Sequence, residues 1–188
     1  MVHPSVRQDD DQTRGRTATG FKGGRRVLLR KGSFTMKTKF YVAYGSNLNV
    51  AQMRYRCPNA KIIGTSEITD FALLFKGSKS GAYLTIEQQT GASVPVAVWA
   101  VSPTDEQSLD RYEGYPSFYY KREIALPVAI LGTDETATLN TFVYIMHEER
   151  KLGIPTQSYV DCCLEGYRNF GFDVKFLKEA LQRSGVTK

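Results

Sequence analysis

Residues 39–48 read KFYVAYGSNL, and this stretch decides the fold because a run of β-favouring residues stops at three turn-forming residues. It predicts a strand over residues 39–44 that ends in a turn at Gly45-Ser46-Asn47. Asn49 is placed to cap a short helix that runs to about Arg56 and ends before a proline. Such a turn can present several free backbone N–H groups to a carboxylate or an oxyanion. A plain strand-to-helix turn without a ligand is the alternative for the same residues.

The rest of the chain changes from strand patterns to helix patterns. Ser102, followed by Pro103, predicts the start of a helix that runs to about Tyr112. Apolar residues at helical spacing over residues 159–170, and an Asp173-capped segment that ends at Gly185, predict two C-terminal helices. Further strands are predicted at residues 62–63, 68–75, 82–87, 94–101, 118–126 and 138–146. This order indicates an α+β domain with a mixed, strongly curved sheet or a small β-barrel, flanking helices, and two helices at the C-terminus.

A second segment, SLDRYEGYP at residues 108–116, places a carboxylate at the end of a predicted helix. Glu113 lies there just before a glycine. The aromatic residues nearest to it in sequence are Tyr112, Tyr115, Phe118 and Tyr119. Aromatic surroundings remove a carboxylate from water and raise its pKa, which suits a general base that works near neutral pH. The alternative is a solvated acid in the last turn, where the helix dipole disfavours it.

Positive charge is concentrated at the start of the chain. The sequence has 188 residues and a net charge of +6, and residues 1–36 contain eight basic and three acidic side chains. The remaining residues are close to neutral, so the domain itself gives no indication of a nucleic-acid partner. We therefore expect residues 1–36 to be a basic, disordered leader or extension and residues 37–188 to form the domain. A weak arm for an anionic partner around residues 25–31 is the alternative.

Metal sites and membrane spans are not indicated by the sequence. The two histidines and three cysteines have no metal-ligand spacing. We expect Cys162 and Cys163 to be small core residues, with metal ligands or nucleophiles as the alternative. A total of only three cysteines favours a reducing compartment, the cytoplasm. No apolar run approaches the ~20 residues of a membrane-spanning helix, so no membrane partner is expected. His147 as a general base for Ser46 stays open, with no local motif behind it.

Three segments together resemble the γ-glutamylcyclotransferase family. They are FYVAYGSNL at residues 40–48, SLDRYEGYP at residues 108–116, and Pro155-Thr156-Gln157-Ser158-Tyr159, which is similar to the Pro-x-x-Tyr stretch of that family. The resemblance covers residues 39–181. The form YGSNL is closer to the γ-glutamylcyclotransferases proper than to those that act on γ-glutamylamines or on glutathione alone. The basic leader departs from the family pattern.

The resemblance implies a γ-glutamyl cyclotransferase-like fold and the release of 5-oxoproline and an amino acid or amine from γ-glutamyl compounds. It makes Glu113 the catalytic base and acid. It implies a substrate-binding set made of Tyr41, Val42, Ala43, Tyr44, Gly45, Ser46, Asn47 and Tyr159. No metal or organic cofactor is required by this reaction, a role in glutathione metabolism follows, and a homodimer is the family expectation. The alternatives are a same-fold enzyme that releases γ-glutamyl groups from a specialised metabolite, and a non-catalytic small-molecule binding module.

Overall fold

A computed structural model describes residues 38–78 and 81–185, and the expected leader lies outside these residues. The chain forms β1 (Lys39–Ala43), a short 3-10 helix (Ser46–Leu48), α1 (Val50–Arg56), β2 (Lys61–Ser78), β3 (Gly81–Val101), α2 (Pro103–Glu113), β4 (Tyr119–Ile130), β5 (Thr136–Met146), β6 (Lys151–Leu152), α3 (Gln157–Phe170) and α4 (Lys175–Arg183). Strands therefore dominate the first part of the domain, and two helices end it.

The long strands close on themselves into a barrel. Their order is β3-β1-β5-β4-β2, and β2 also pairs with β3, which joins the two ends of the sheet. β1 and β5 are parallel, whereas the other pairs are antiparallel. β6 adds a two-residue antiparallel pairing to the far end of β2. The predicted α+β class, with a mixed and strongly curved sheet, flanking helices and two C-terminal helices, is confirmed.

The hydrophobic core includes residues of the barrel strands and of the helices that pack on them. Val42 and Trp99, on the paired strands β1 and β3, are almost completely buried. α3 contacts the 3-10 helix, and α4 contacts β2. Of the three thiols, Cys57 and Cys163 are buried and Cys162 is half-buried. Within residues 38–78 and 81–185, no helix is long and apolar enough to cross a membrane, and no cluster of ligating side chains could hold a metal ion.

Four of the predicted strands are two long strands in the structure. β2 spans the predicted gap between residues 63 and 68, and β3 spans the gap between residues 87 and 94. The pairing of β2 with β3 shifts register at residues 62–64 and again at residues 69–71 of β2. Such irregularities let paired strands bend and continue instead of ending. At the second irregularity, Asp70 takes a positive φ of 59° and its carboxylate accepts a hydrogen bond from the N–H of Gly91. The turn-forming residues in these gaps therefore mark bends and not strand ends.

The start of the last helix also differs from the prediction. Val174, and not Asp173, occupies the N-cap position, and its φ and ψ of −65° and −9° are already helical. The Asp173 carboxylate still accepts a hydrogen bond from the N–H of Lys175. The aspartate therefore stabilises the turn just before the helix, and the helix begins one residue later than expected.

Barrel closure between β2 and β4 depends on Gly64. This residue is opposite Ile130, and a Cβ built on it would lie 1.9 Å from the carbonyl oxygen of Ala129. No side chain fits in that space, because the obstacle is backbone that is itself part of the sheet. The absence of a side chain at position 64 is what lets the two strands approach.

We predict that Gly64→Ala lowers the free energy of unfolding by about 3 kcal/mol, because the two strands must move apart to admit a methyl group. Gly132→Ala is the matched control. A Cβ there meets nothing within 4 Å, and only its positive φ of 78° is unfavourable, which costs about 1 kcal/mol. Urea denaturation of the two variants measures the difference. Equal losses of unfolding free energy in the two variants would show that the space at Gly64 does not limit the approach of β2 and β4.

Candidate active site

A small cavity, roughly 280 Å³ when the open solvent at its mouth is included, lies where the end of β1, the 3-10 helix, the end of α2 and the start of α3 meet. Its lining residues are Tyr41, Tyr44, Gly45, Ser46, Asn47, Leu84, Glu113, Tyr119, Tyr144 and Tyr159. All but two of the residues predicted for the site are among them. Val42 and Ala43 lie on β1, are completely buried in the core and do not line the cavity.

Local sequence places Glu113 at the cavity wall. α2 begins with a reciprocal capping box, in which the Ser102 side chain accepts from the N–H of Asp105 while the Asp105 carboxylate accepts from the N–H of Ser102. The helix ends at Gly114, whose φ of 64° lies in the left-handed region that favours glycine. Glu113 is therefore the last helical residue before the chain turns away. Its side chain is half-buried.

The Asn47 side chain is the hydrogen-bonding centre of the cavity. Its Nδ2 donates to Glu113 Oε1 and to the Tyr41 hydroxyl, both at 2.8 Å. Its Oδ1 accepts from Arg56 Nη1, also at 2.8 Å. Because a guanidinium can only donate, the amide oxygen faces Arg56 and the NH₂ group faces the carboxylate. Arg56 is the last residue of α1 and its guanidinium also lies 3.7 Å over the Tyr112 ring.

The environment of Glu113 favours its neutral form. Burial raises the pKa of this carboxyl from 4.5 to about 7, although the charge of Arg56 and the hydrogen bond from Asn47 act in the opposite direction. The group is thus poised to exchange a proton near neutral pH, in the direction that the aromatic surroundings predicted. Of the four predicted neighbours, Tyr119 lines the cavity, while Tyr115 is exposed.

The tyrosines of the cavity are neutral hydrogen-bonding groups. Burial raises the pKa values of Tyr41, Tyr44, Tyr119 and Tyr159 well above 10. The Tyr44 and Tyr119 hydroxyls donate to backbone carbonyls, at 2.7 and 2.8 Å. In contrast, the Tyr41 hydroxyl accepts from Asn47 and the Tyr159 hydroxyl accepts from the N–H of Leu84. Tyr41 and Tyr159 therefore keep a proton that can be donated to a ligand.

Backbone N–H groups of the turn add to these donors. The carbonyls of Gly45 and Ser46 accept from the N–H groups of Leu48 and Asn49, which closes the 3-10 turn. No acceptor within the described part of the chain takes the N–H of Gly45 or Ser46. Gly45 has a φ of −117°, which lies outside the left-handed region. A Cβ at this position would make a tight contact, 3.3 Å from the Tyr159 hydroxyl.

The alternative of a serine nucleophile with a histidine base is not supported by the geometry. Ser46 Oγ lies 3.0 Å from the Tyr112 hydroxyl. His147 Nε2 lies 2.8 Å from the carbonyl oxygen of Pro116, and the imidazole packs against Tyr120. His147 does not line the cavity, so the structure does not bring the two residues together.

A wider groove, roughly 860 Å³ when the open solvent above it is included, shares one wall with the cavity. Ser46, Glu113, Tyr119 and Tyr159 line both spaces. The remaining groove residues are Tyr83, Arg111, Tyr112, Gly114 and Phe118. Glu113 therefore stands at the junction between a small polar space and a larger, partly aromatic one.

Sequence reasoning did not find Arg56, Leu84 and Tyr144. Tyr144 lines the cavity from β5 and donates to Asp110 Oδ1 at 2.6 Å. Leu84 lies on β3, where its backbone bonds to two of the tyrosine hydroxyls. Both residues resemble ordinary strand residues in the sequence. The one signal for Arg56 is a cation in the last turn of the predicted short helix, a position that usually reports only the helix dipole.

Comparison with known proteins places these features in a family. The family model "Gamma-glutamyl cyclotransferase, AIG2-like" matches residues 41–161. The chain is 34% identical to the Gamma-glutamylcyclotransferase of Homo sapiens over 113 residues, which is 56% of this chain and 58% of that protein. It is 27% identical to the protein of the same name from Bos taurus over 147 residues, 74% of this chain and 75% of that one. The match to the human relative thus spans less than two thirds of that protein.

A solved structure of a protein named Gamma-glutamyl cyclotransferase has the same fold, with a TM-score of 0.65 at 24% identity over 76% of this chain and 86% of that chain. All ten residues that line the cavity fall within the region matched by the family model. The chain belongs to the gamma-glutamyl cyclotransferase, AIG2-like family.

Proposed function

We propose that this chain is a γ-glutamylcyclotransferase, which converts a γ-glutamyl compound into 5-oxoproline and a free amino acid or amine. The observation that carries the proposal is the Glu113 carboxyl, whose pKa of about 7 places a proton-transfer group at the wall of a small cavity. Relatives that carry this enzyme's name support the same reaction class. A module that only binds its ligand has no need of a carboxyl poised in this way.

The reaction is an intramolecular cyclisation. The α-amine of the glutamyl group attacks the γ-carbonyl carbon, a new C–N bond closes a five-membered ring, and the original amide C–N bond breaks. Since both reacting groups belong to one residue, orientation within the cavity supplies much of the rate. What the protein must add is a base for the ammonium, an acid for the leaving nitrogen, and donors for the oxyanion.

Glu113 takes the first two roles. In its ionised form it accepts a proton from the substrate ammonium, which frees the lone pair for attack. The protonated carboxyl then gives that proton to the leaving nitrogen as the amide C–N bond breaks. The second proton that the ring nitrogen must lose passes to the departing amine, which leaves as an ammonium. A pKa near 7 suits both steps, because neither form is strongly disfavoured at neutral pH. Asn47 holds Oε1 of Glu113, which leaves the other carboxylate oxygen to the substrate.

The neutral donors of the cavity suit the carboxylate and the oxyanion of the substrate. They are the N–H groups of Gly45 and Ser46 and the hydroxyls of Tyr41 and Tyr159. Fixed donors of this kind stabilise charge that develops in the transition state without reorganising. The glutamyl part then occupies the small cavity and the leaving group extends into the groove, with Glu113 between them.

The finer properties implied by the family resemblance remain predictions. These are the role in glutathione metabolism, the cytoplasmic location and the homodimer. The reaction written above uses only side chains and backbone of this chain, in keeping with the expectation that no metal or organic cofactor takes part. The alternative substrate, a specialised metabolite with a γ-glutamyl group, would use the same cavity and differ only in the groove.

We predict that Glu113→Gln lowers kcat for 5-oxoproline release toward the upper end of about 10²–10⁴-fold, because the amide cannot accept the ammonium proton. Binding of a γ-glutamyl ligand, measured by calorimetry, should persist, since the glutamine oxygen can still accept from Asn47. Glu123→Gln, at an exposed position on β4, is the matched control and should keep its activity. A Glu113→Gln variant that retains more than a tenth of the activity would show that another group is the base.

We also predict that Gly45→Val impairs catalysis more than Ser46→Ala. A valine side chain would press on the Tyr159 hydroxyl and on Leu84, and it would misalign the N–H donors of the turn at a cost of about 10²-fold in kcat. Ser46→Ala removes only a neutral hydroxyl contact, worth about 1 kcal/mol. Steady-state kinetics of the two folded variants decide the order. An inactive Ser46→Ala variant beside a mildly affected Gly45→Val variant would instead assign the chemistry to the serine hydroxyl.

A further inference from the structure

The groove beside Glu113 contains a cation with no partner in the described part of the chain. Arg111 lies in the last turn of α2, is exposed, and lines the groove. The ion pairs of residues 38–78 and 81–185 engage Lys39, Lys76, Lys121, Arg168, Lys175 and Arg183, but not Arg111. Two further arginines lie near the site and already have partners. Arg56 contacts Asn47 and the Tyr112 ring, and Arg150 lies over the Phe118 ring and contacts the Ser117 carbonyl. Arg111 is therefore available to an anion of the ligand.

The groove also has fixed aromatic walls. Tyr83 and Tyr112 are 37% and 45% exposed, so both rings have surface that a ligand can cover. Tyr83 packs edge-on against Phe118, with ring centroids 6.2 Å apart. Tyr112 is held by the guanidinium of Arg56 over its ring and by its hydrogen bond with Ser46. Because these rings are held in place, an apolar side chain can bind against them with little ordering cost.

We propose that the leaving group of the reaction is an amino acid with a free α-carboxylate and an aromatic or large apolar side chain. Arg111 binds the carboxylate, and Tyr83, Tyr112 and Phe118 contact the side chain. This inference rests on the proposed function and adds the part of the substrate beyond the scissile bond. That bond breaks as written above, with the proton of Glu113 passing to the nitrogen of the departing amino acid.

The arrangement discriminates among three kinds of γ-glutamyl compound. A γ-glutamylamine offers nothing to Arg111. A small residue such as alanine offers a carboxylate but leaves the aromatic walls uncovered. In glutathione the carboxylate is displaced by a further residue, about 3.5 Å of chain, and the side chain next to the scissile bond is small. A γ-glutamyl dipeptide with phenylalanine satisfies both features of the groove.

The test compares γ-Glu-Phe with γ-Glu-phenethylamine, which lacks only the carboxylate, and with γ-Glu-Ala. Formation of 5-oxoproline gives kcat/KM for each compound with the wild-type chain, Arg111→Met and Arg54→Met. We expect kcat/KM of the wild-type chain to be about tenfold higher for γ-Glu-Phe than for either other compound. A factor of this size is what one charge-assisted hydrogen bond, or the burial of a large apolar side chain, contributes. Arg111→Met should lower kcat/KM for γ-Glu-Phe about tenfold and change that for the amine less than twofold.

Arg54→Met is the matched control, because Arg54 is an exposed helical arginine of α1 that does not line the groove. Arg54→Met should leave kcat/KM unchanged for both γ-Glu-Phe and γ-Glu-phenethylamine. Equal losses with γ-Glu-Phe and γ-Glu-phenethylamine in Arg111→Met would overturn the carboxylate contact, and equal use of γ-Glu-Ala and γ-Glu-Phe would overturn the aromatic contact. Both results leave the cyclotransferase reaction standing. Absence of 5-oxoproline from every compound would instead refute the proposed function itself, and this inference with it.

Discussion

The orientation of one side-chain amide, that of Asn47, determines the hydrogen bonding in the cavity. The Asn47 side chain joins the Arg56 guanidinium to the Glu113 carboxyl, and the arginine fixes which end of the amide faces the carboxyl. Three elements meet through these contacts, namely the turn after β1, the end of α1 and the end of α2. Since the amide is neutral, Glu113 receives a hydrogen bond without a neighbouring counter-charge in direct contact. Its charged form therefore remains costly, and a carboxyl of ordinary chemistry becomes a group that titrates near neutral pH.

The backbone turn beneath this amide is fixed by close packing. α3 approaches the 3-10 helix at Gly166, where a Cβ would lie 2.6 Å from Leu48 Cβ and 2.7 Å from the backbone nitrogen of Asn49. The N–H of Val50 also donates to the Asn169 side chain, one turn further along α3. The start of α3 adds Tyr159 to the cavity. The barrel, the turn and α3 thus hold the donors of the turn opposite Glu113, which is the preorganisation that the proposed cyclisation requires.

Much of this arrangement could be predicted from short segments. β1 and the turn after it are visible because β-favouring residues stop at Gly45-Ser46-Asn47, and Glu113 is visible because it precedes a helix-ending glycine. Arg56, Leu84 and Tyr144 could not be found in this way, since their roles come from contacts between distant parts of the chain. The same reason explains why four predicted strands are two. A bend and a strand end use the same residue types, and only barrel closure decides between them.

The measurement that tests this account most directly is the pKa of Glu113 in the folded protein. Carboxyl ¹³C chemical shifts of a glutamate-labelled sample would be followed with pH, with Glu113→Gln used to assign the resonance. We expect a midpoint of about 7. The folded state then binds a proton that the unfolded state releases above 4.5, so the free energy of unfolding falls as pH rises from 4.5 through 7, and Glu113→Gln lacks this fall. A midpoint near 4.5, with the same pH dependence of stability in both proteins, would contradict a desolvated carboxyl and the base assigned to it.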